Sequence, residues 1–202
     1  YTALAWFIAC SAGYTWYSKY HAHKRACLSN TLNLYREDWM RVMLQRGNRM
    51  SDTSVVGNLE RNGAFFASSC LLILAGIITA LGYTSEAMEI FASMPLSPVP
   101  TREIWELRLL VLMVVFIYAF FKFTWSMRMY NFLAVMIGSA PLAEDTKTTP
   151  AGREAFAKSA GKICDLAGDA FNLGLRSYYY ALSVVAWFFH PAAFMIASTL
   201  IV

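Results

Sequence analysis

The chain has 202 residues, of which 57% are hydrophobic and 15% are charged, and its formal net charge is +4. Soluble domains are nearer one-half apolar and one-quarter charged, so this composition predicts a membrane protein and no nucleic-acid partner. The four cysteines form no CxxC pair, which excludes a zinc signature and a disulfide framework.

Four apolar segments predict transmembrane helices. A helix crosses a hydrocarbon core of about 30 Å with roughly 20 residues. The segments that meet this requirement lie at approximately 3–20, 63–82, 109–128 and 178–201. Tyr and Trp residues cluster at the end of the first segment, as in the aromatic belt of a membrane interface. The fourth segment contains His190-Pro191, which predicts a kink.

The positive charges predict the orientation of these spans. Lys and Arg are frequent in the connections 19–62 and 128–177, whereas the connection 83–108 has more acidic than basic residues. The positive-inside rule places the two basic connections in the cytoplasm, and both termini and 83–108 on the opposite side. The sequence therefore predicts a four-span protein of the inner (plasma) membrane, with anionic lipid headgroups among its partners.

The basic connections are themselves helical in pattern. An amphipathic helix is predicted at about 30–46 and is ended by Gly47. Asp52 is the predicted N-cap of a helix that continues to Gly82.

The last two long helices have their own boundary signals. One is expected to run from Thr101 to about Ser139, and the other from the Thr149-Pro150 cap to Pro191. The predicted fold is thus a single all-α domain over 1–202. It is a four-helix transmembrane bundle whose long helices extend into a small basic cytoplasmic helical cap.

A polar stripe follows one face of the last long helix. Its members are Glu154, Lys158, Lys162, Asp165, Asp169, Asn172 and Arg176. Their spacing of three or four residues fits a solvated helix face. The alternative interpretation is a water-filled groove that leads to the membrane.

Lys122 and His190 lie inside the predicted spans and have polar side chains. Lys122 either extends to the cytoplasmic interface or forms a buried pair with Asp52 or Glu60. His190 is either a packed, hydrogen-bonded histidine or a ligand or proton-relay residue beside the carbonyl that proline frees. No metal site and no cofactor are predicted from this lone histidine, and His21 and His23 fit interfacial positions.

The second span has a row of small residues, Gly63, Ala67, Ala75 and Thr79, at multiples of four. Such rows allow close helix packing, so a packing seam is predicted, with Ser68, Ser69 and Cys70 able to form hydrogen bonds across helices.

Three blocks of sequence carry a family resemblance. They are WMRVMLQRGNRMSDTSVVGNLERNGAFFASS (39–69), YAFFKFTWSMRMYNFLAVMIGSAP (118–141) and FNLGLRSYYYALSVVAWFFHP (171–191). They resemble an uncharacterised integral-membrane family of bacteria and plants defined as a domain of unknown function, DUF599. The resemblance implies a helical inner-membrane protein and implies no activity. Its motif positions here are Arg49, Asp52, Lys122, Trp125, Arg128, Asn131, Asn172 and Arg176.

These positions, with Asp169, lead us to predict a polar cluster at the cytoplasmic membrane boundary. The cluster comprises Arg49, Asp52, Lys122, Arg128, Asn131, Asp169, Asn172 and Arg176. The Arg49–Asp52 step is the position where we expect charges from three helices to converge.

No catalytic motif is visible, so the chain is not predicted to be an enzyme. The favoured hypothesis is a structural or accessory subunit that packs against other membrane-protein subunits or against itself. The alternative is a small oligomeric transporter or channel that uses the polar cluster, and a cofactor-binding redox subunit is the weakest hypothesis.

Overall fold

The computed structural model of the protein describes residues 4–10, 13, 28–92 and 101–201. These ranges are helical apart from short connections and contain no strand, so the predicted all-α class is confirmed for them. Residues 4–10 are helical. The later described ranges form α1 (Leu28–Gln45), α2 (Met50–Gly82), α3 (Thr84–Ala92), α4 (Arg102–Ser139), α5 (Pro150–Phe189) and α6 (Pro191–Leu200).

The turn between α1 and α2 lies at Gly47, as predicted, but the predicted N-cap of α2 is wrong. The helix begins at Met50, so Asp52 lies inside its first turn. The Asn48 side chain supplies the acceptor that was assigned to Asp52, because its Oδ1 accepts from the Met50 N–H at 2.9 Å. Because Asp52 does not cap the helix, its carboxylate is available for contacts with residues that precede α2.

The boundaries of α4 and the start of α5 agree with the sequence. The last residue of α4 is Ser139, as predicted. At the start of α5 the Thr149 hydroxyl accepts from the Gly152 N–H at 3.1 Å, and Pro150 is the first helical residue. A proline in this position loses no helical hydrogen bond.

The predicted kink near Pro191 is a complete break between two helices. His190 is extended, with φ −154° and ψ 137°, and α6 begins at the next residue. A residue before proline is pushed out of the helical region, and proline has no N–H to continue the ladder.

Among the described helices two, α2 and α4, are long and apolar enough to cross a membrane. With 33 and 38 residues they extend for about 50 and 57 Å. The predicted fourth span, 178–201, is divided between the end of α5 and α6. Of the predicted first span only 4–10 and 13 are described. His21 and His23 lie outside the described residues.

The chain forms two compact units. The apolar unit comprises Tyr1–His21, Ser68–Phe121 and Leu173–Val202, and the polar unit comprises Ala22–Ala67 and Lys122–Asn172. Eleven of the fourteen Lys and Arg residues in the described ranges belong to the polar unit. Three helices, α2, α4 and α5, therefore contribute residues to both units.

The polar unit has a hydrophobic core drawn from α1, α2, α4, α5 and the turn after α4. The core residues are Met40, Met43, Leu44, Val56, Met129, Tyr130, Leu133, Ile137, Ala140, Ala157, Ala160, Cys164 and Ala167. The residues that α5 contributes to this core are small, so the larger core side chains of the other helices pack close to the α5 backbone.

Candidate functional site

The predicted polar cluster is distributed over three helices, α2, α4 and α5, and Arg49, which directly precedes α2. Seven members belong to the polar unit and one, Arg176, belongs to the apolar unit. Four members, Arg49, Asp52, Arg128 and Asn131, each bind a different set of neighbours. The structure therefore resolves this part of the predicted cluster into separate interactions.

Asp52 is a buried carboxylate that joins α1 to α2. It is 1% exposed, and its Oδ1 accepts from Trp39 Nε1 at 2.7 Å and from Arg46 Nη1 at 2.6 Å. Its Oδ2 is buried without a hydrogen-bond partner. Burial of a carboxylate is costly unless it is paired, so Trp39 and Arg46 together keep Asp52 in place across the turn.

Arg49 binds the end of α4. Its guanidinium donates to the carbonyl oxygens of Ala140 at 2.7 Å and Pro141 at 2.5 Å, and more weakly to that of Ile137 at 3.4 Å. The last carbonyls of a helix lack partners within the helix and carry partial negative charge. Arg49, which directly precedes α2, therefore holds the turn that follows α4 and reaches the last turn of α4 only through the long bond to Ile137.

Arg153 organises the loop that follows α4. It donates to the carbonyls of Leu142, Ala143 and Asp145. The Asp145 carboxylate accepts from the Lys147 N–H at 2.9 Å, and this bond lowers the pKa of Asp145 below its usual range. The loop 140–149 is thus bound by Arg49 at its first two residues and by Arg153 at residues 142–145.

Asn131 connects α4 to α2. Its side-chain amide donates to Glu60 Oε1 at 3.0 Å. Glu60 and Asp52 are the predicted partners of Lys122. In the structure Glu60 binds Asn131, whereas Asp52 binds Trp39 and Arg46. Lys122 itself is half-buried, and its pairing with either carboxylate stays a prediction.

Arg128 lies against two aromatic rings of its own helix. Its Cζ is 5.8 Å from the Trp125 ring centroid and 5.5 Å from that of Phe132. Both separations are within the range of cation–π attraction. All three side chains are exposed.

The polar stripe of α5 is divided between contacts with α1 and open surface. Glu154 accepts from Arg41 at 2.8 Å, and Asp165 accepts from Arg36 at 3.2 Å. Arg41 also binds Glu37 and Asp38 on its own helix. The exposed members of the stripe are Lys158, Lys162, Asp169 and Asn172, and Arg176 is half-buried.

The pKa values of the two engaged carboxyls move in opposite directions. The hydrogen bond from Arg41 lowers the pKa of Glu154 below its usual range. Burial raises the pKa of Asp165, and the nearby Arg36 only partly opposes this effect. Burial also raises the pKa of the neighbouring Cys164 thiol to about 11, so that thiol stays protonated at neutral pH and is a poor nucleophile.

Two glycines of α5 define how closely α1 approaches. A Cβ on Gly161 would lie 3.0 Å from the Glu37 Cα, and a Cβ on Gly168 would overlap the Arg36 guanidinium. The sequence interpretation missed this contact. The signal was present, because α5 repeats small residues at helical spacing: Ala157, Ala160, Gly161, Cys164, Ala167 and Gly168.

Only the first two members of the predicted small-residue row of α2 form a packing seam. Gly63 and Ala67 are buried, and a Cβ on Gly63 would lie 2.9 Å from Met127 Cγ. Ala75 and Thr79 are exposed. A row at every fourth residue drifts around a helix with 3.6 residues per turn, so it leaves the buried face. Cys70 does form the predicted contact across helices, since its Sγ lies 3.4 Å from the Tyr178 hydroxyl.

His190 serves as the N-cap of α6. It is exposed, and its Nδ1 accepts from the Ala192 N–H at 3.1 Å. The expected hydrogen bond is therefore present, and it occupies one ring nitrogen. The expectation of a packed side chain is wrong, because the ring is exposed. Among the described residues, no group of three or more His, Cys, Asp and Glu side chains is placed to hold a metal ion.

Arg108 is a buried cation of the apolar unit that the sequence interpretation counted only as a connection charge. It is 7% exposed, donates to the Phe188 carbonyl at a long 3.4 Å and lies 5.5 Å from the Trp187 ring centroid. Its Nε is buried without a partner. Arg108 thus contacts the last turn of α5, just before the break at His190.

The chain matches the family described as "Protein of unknown function, DUF599" over residues 2–202. It therefore belongs to this family, as its sequence blocks predict. Comparison with curated proteins and with solved structures gave no match.

Proposed function

We propose that this protein is a non-catalytic accessory subunit of a larger complex in the inner membrane. In this proposal it has four spans at approximately 3–20, 63–82, 109–128 and 178–201. The connections 19–62 and 128–177 face the cytoplasm. Both termini and 83–108 face the opposite side.

The observation that carries the proposal is the exposure of the most apolar helices. Only 17% of the most apolar window of α2 and 33% of that of α4 is buried. On α2 the exposed side chains include Leu71, Leu72 and Ile78. The core helix of a soluble protein would bury such residues, whereas lipid or another membrane subunit can cover them.

The charge distribution supports the proposed orientation. Most Lys and Arg residues belong to the polar unit, and this unit includes most of both connections assigned to the cytoplasm. Retention of basic segments on the cytoplasmic side is the general behaviour of membrane proteins.

The way the polar unit uses its arginines supports a structural role. Arg49 and Arg153 bind main-chain carbonyls, and Arg36 and Arg41 bind carboxylates of α5. Each of these bonds fixes one part of the chain relative to another within the unit. A rigid surface of this kind suits a subunit that supports a partner.

Native purification tests the proposal. The full chain is tagged, native membranes are extracted with a mild detergent, and the untagged strain serves as the control. We expect membrane-protein partners in the tagged sample at fixed stoichiometry, and loss of the protein from alkaline-washed membranes only when detergent is added. Migration as a single species without partners would contradict the accessory role, as would solute transport by the purified protein in vesicles.

A further inference from the structure

We infer that Arg128, Trp125 and Phe132 form a binding site for the phosphate of a phospholipid headgroup. These residues are called the α4 clamp below. The inference rests on the membrane location proposed above and adds a specific lipid contact to it.

The first argument is that the Arg128 guanidinium is free to bind an anion. Six other arginines lie in the described part of the polar unit, and each donates a hydrogen bond to a carboxylate, a carbonyl or a side-chain amide: Arg36, Arg41, Arg46, Arg49, Arg61 and Arg153. Arg128 makes no hydrogen bond or ion pair with the described residues. All thirteen Asp and Glu residues lie in the described ranges, so no acidic side chain elsewhere in the chain could pair with it.

The second argument is the geometry of the α4 clamp. Trp125 precedes Arg128 by three residues and Phe132 follows it by four, so both rings share its side of α4. The contacts with the rings, at 5.8 and 5.5 Å, restrict the guanidinium before any ligand arrives. A guanidinium that lies on an aromatic ring can still direct its N–H groups to phosphate oxygens.

The third argument identifies the source of the phosphate. Trp125 is 50% exposed and Phe132 is 44% exposed, so the cation is flanked by apolar surface. A dissolved phosphate ion gains nothing from those rings, whereas a phospholipid presents its phosphate beside apolar glycerol and acyl groups. Trp and Arg are also typical of the level at which headgroups lie, and the proposed third span ends at Arg128.

Lipid retention by reconstituted protein tests the inference. The full chain is placed in vesicles of equal parts phosphatidylglycerol and phosphatidylcholine, extracted gently, and the lipid retained per protein is measured by native mass spectrometry. We expect Arg128→Gln to reduce retained phosphatidylglycerol about fivefold, as for the loss of one interfacial cation. Arg128→Lys should give an intermediate loss, because it keeps the charge without the planar group.

Arg61→Gln is the matched control. Arg61 is an exposed arginine of the polar unit on α2, and it donates to the Asn58 side chain. Unchanged retention in Arg61→Gln with reduced retention in Arg128→Gln supports the α4 clamp. Equal losses in both variants would indicate only diffuse charge attraction and would overturn the inference, as would full retention by Arg128→Gln.

A competition arm separates the two sources of phosphate. Inorganic phosphate at millimolar concentration is added to the wild-type protein, and we expect the lipid to stay bound. Displacement of lipid by inorganic phosphate would assign the α4 clamp to a small anion and overturn the lipid inference. Failure of the protein to enter the vesicles would refute the proposed membrane location, whereas normal insertion without a difference between variants would refute the lipid site alone.

Discussion

The Arg36 guanidinium lies against the backbone of Gly168, in the space that a Cβ at position 168 would occupy. The same guanidinium donates to Asp165 Oδ1 at 3.2 Å and to Asn33 Oδ1 at 3.0 Å. Gly168 is thus the residue that lets an arginine of α1 reach an aspartate of α5 along the surface of the polar unit.

Gly168→Ala is expected to destabilise the protein, although alanine is the better helix former. The added methyl group must displace the Arg36 guanidinium, which is the end of a flexible side chain, so the cost is the loss of its hydrogen bonds to Asp165 and Asn33, about 1–3 kcal/mol. Urea unfolding of the protein in mild detergent measures the change in the free energy of unfolding.

The control for this variant is Gly57→Ala, which lies inside α2 in the same unit. There a Cβ would meet only Arg61 Nη1, at 4.0 Å. We expect Gly57→Ala to stabilise the helix by about 0.5–1 kcal/mol. Equal effects of the two alanine substitutions would show that Arg36 does not need the space at Gly168.

Arg46→Ala is expected to cost about 1–3 kcal/mol, because the exposed Arg46 is a hydrogen-bond donor to the buried Asp52 carboxylate and its counter-charge. The double variant Arg46→Ala/Asp52→Asn should be less destabilised than Arg46→Ala alone, since the buried charge is then gone. A double-mutant cycle measured by urea unfolding reports this coupling. Additive effects of the two substitutions would argue against a buried ion pair at this site.

Much of the fold was predictable because local residues mark helix ends. Gly47 interrupts the chain between two helices, and Thr149-Pro150 begins α5 at the predicted position. The apolar runs also identified α2 and α4 correctly. These features depend on a few neighbouring residues, so they can be read without knowledge of the tertiary structure.

The partners of charged side chains were less predictable because they depend on which helices meet. Asp52 has the pattern of an N-cap, yet it binds Trp39 of α1 and Arg46, which directly follows α1. Arg128 was grouped with other charged residues by its position at the predicted membrane boundary, whereas in the structure its guanidinium lies on rings of its own helix. The spacing along one helix gives the face of a residue but does not identify the helix that packs against it.

Glu154 is expected to titrate below its ordinary pKa, and Asp165 is expected to titrate above its ordinary pKa. The carbon-13 shifts of the side-chain carboxyls measure both, with Glu154→Gln and Asp165→Asn as the variants that assign the signals. The hydrogen bond from Arg41 favours the charged form of Glu154, whereas burial disfavours that of Asp165.

These shifts have opposite effects on the dependence of stability on pH. The lowered pKa of Glu154 stabilises the fold above the ordinary glutamate pKa, and this contribution is lost as pH falls through the folded value. The raised pKa of Asp165 stabilises the fold below the ordinary aspartate pKa, and that contribution is lost as pH rises through the folded value. Finding both carboxyls displaced in the same direction would contradict the arrangement.

Arg49→Ala is expected to loosen the end of α4 without unfolding the polar unit. The substitution removes the donors to the carbonyls of Ala140 and Pro141 and the long bond to Ile137, so the turn that follows α4 and the adjoining last turn of α4 are less firmly held. Hydrogen exchange should accelerate at residues 134–141 and stay unchanged at 155–165. Arg153→Ala is the companion variant, and its effect should fall on the loop 142–149 instead.

Arg108 is expected to contribute to the apolar unit mainly through the packing of its side chain, and two substitutions separate packing from charge. Arg108→Ala removes the contacts with the Trp187 and Phe188 rings and should lower the free energy of unfolding by about 2–4 kcal/mol. Arg108→Met fills most of the same volume without a buried charge and should be as stable as the wild type or more stable. The reason is that the guanidinium makes only one hydrogen bond to the described residues, a long one to the Phe188 carbonyl. Thermal unfolding in detergent, followed by tryptophan fluorescence, compares the two variants. If Arg108→Met is as unstable as Arg108→Ala, the positive charge itself stabilises the last turn of α5.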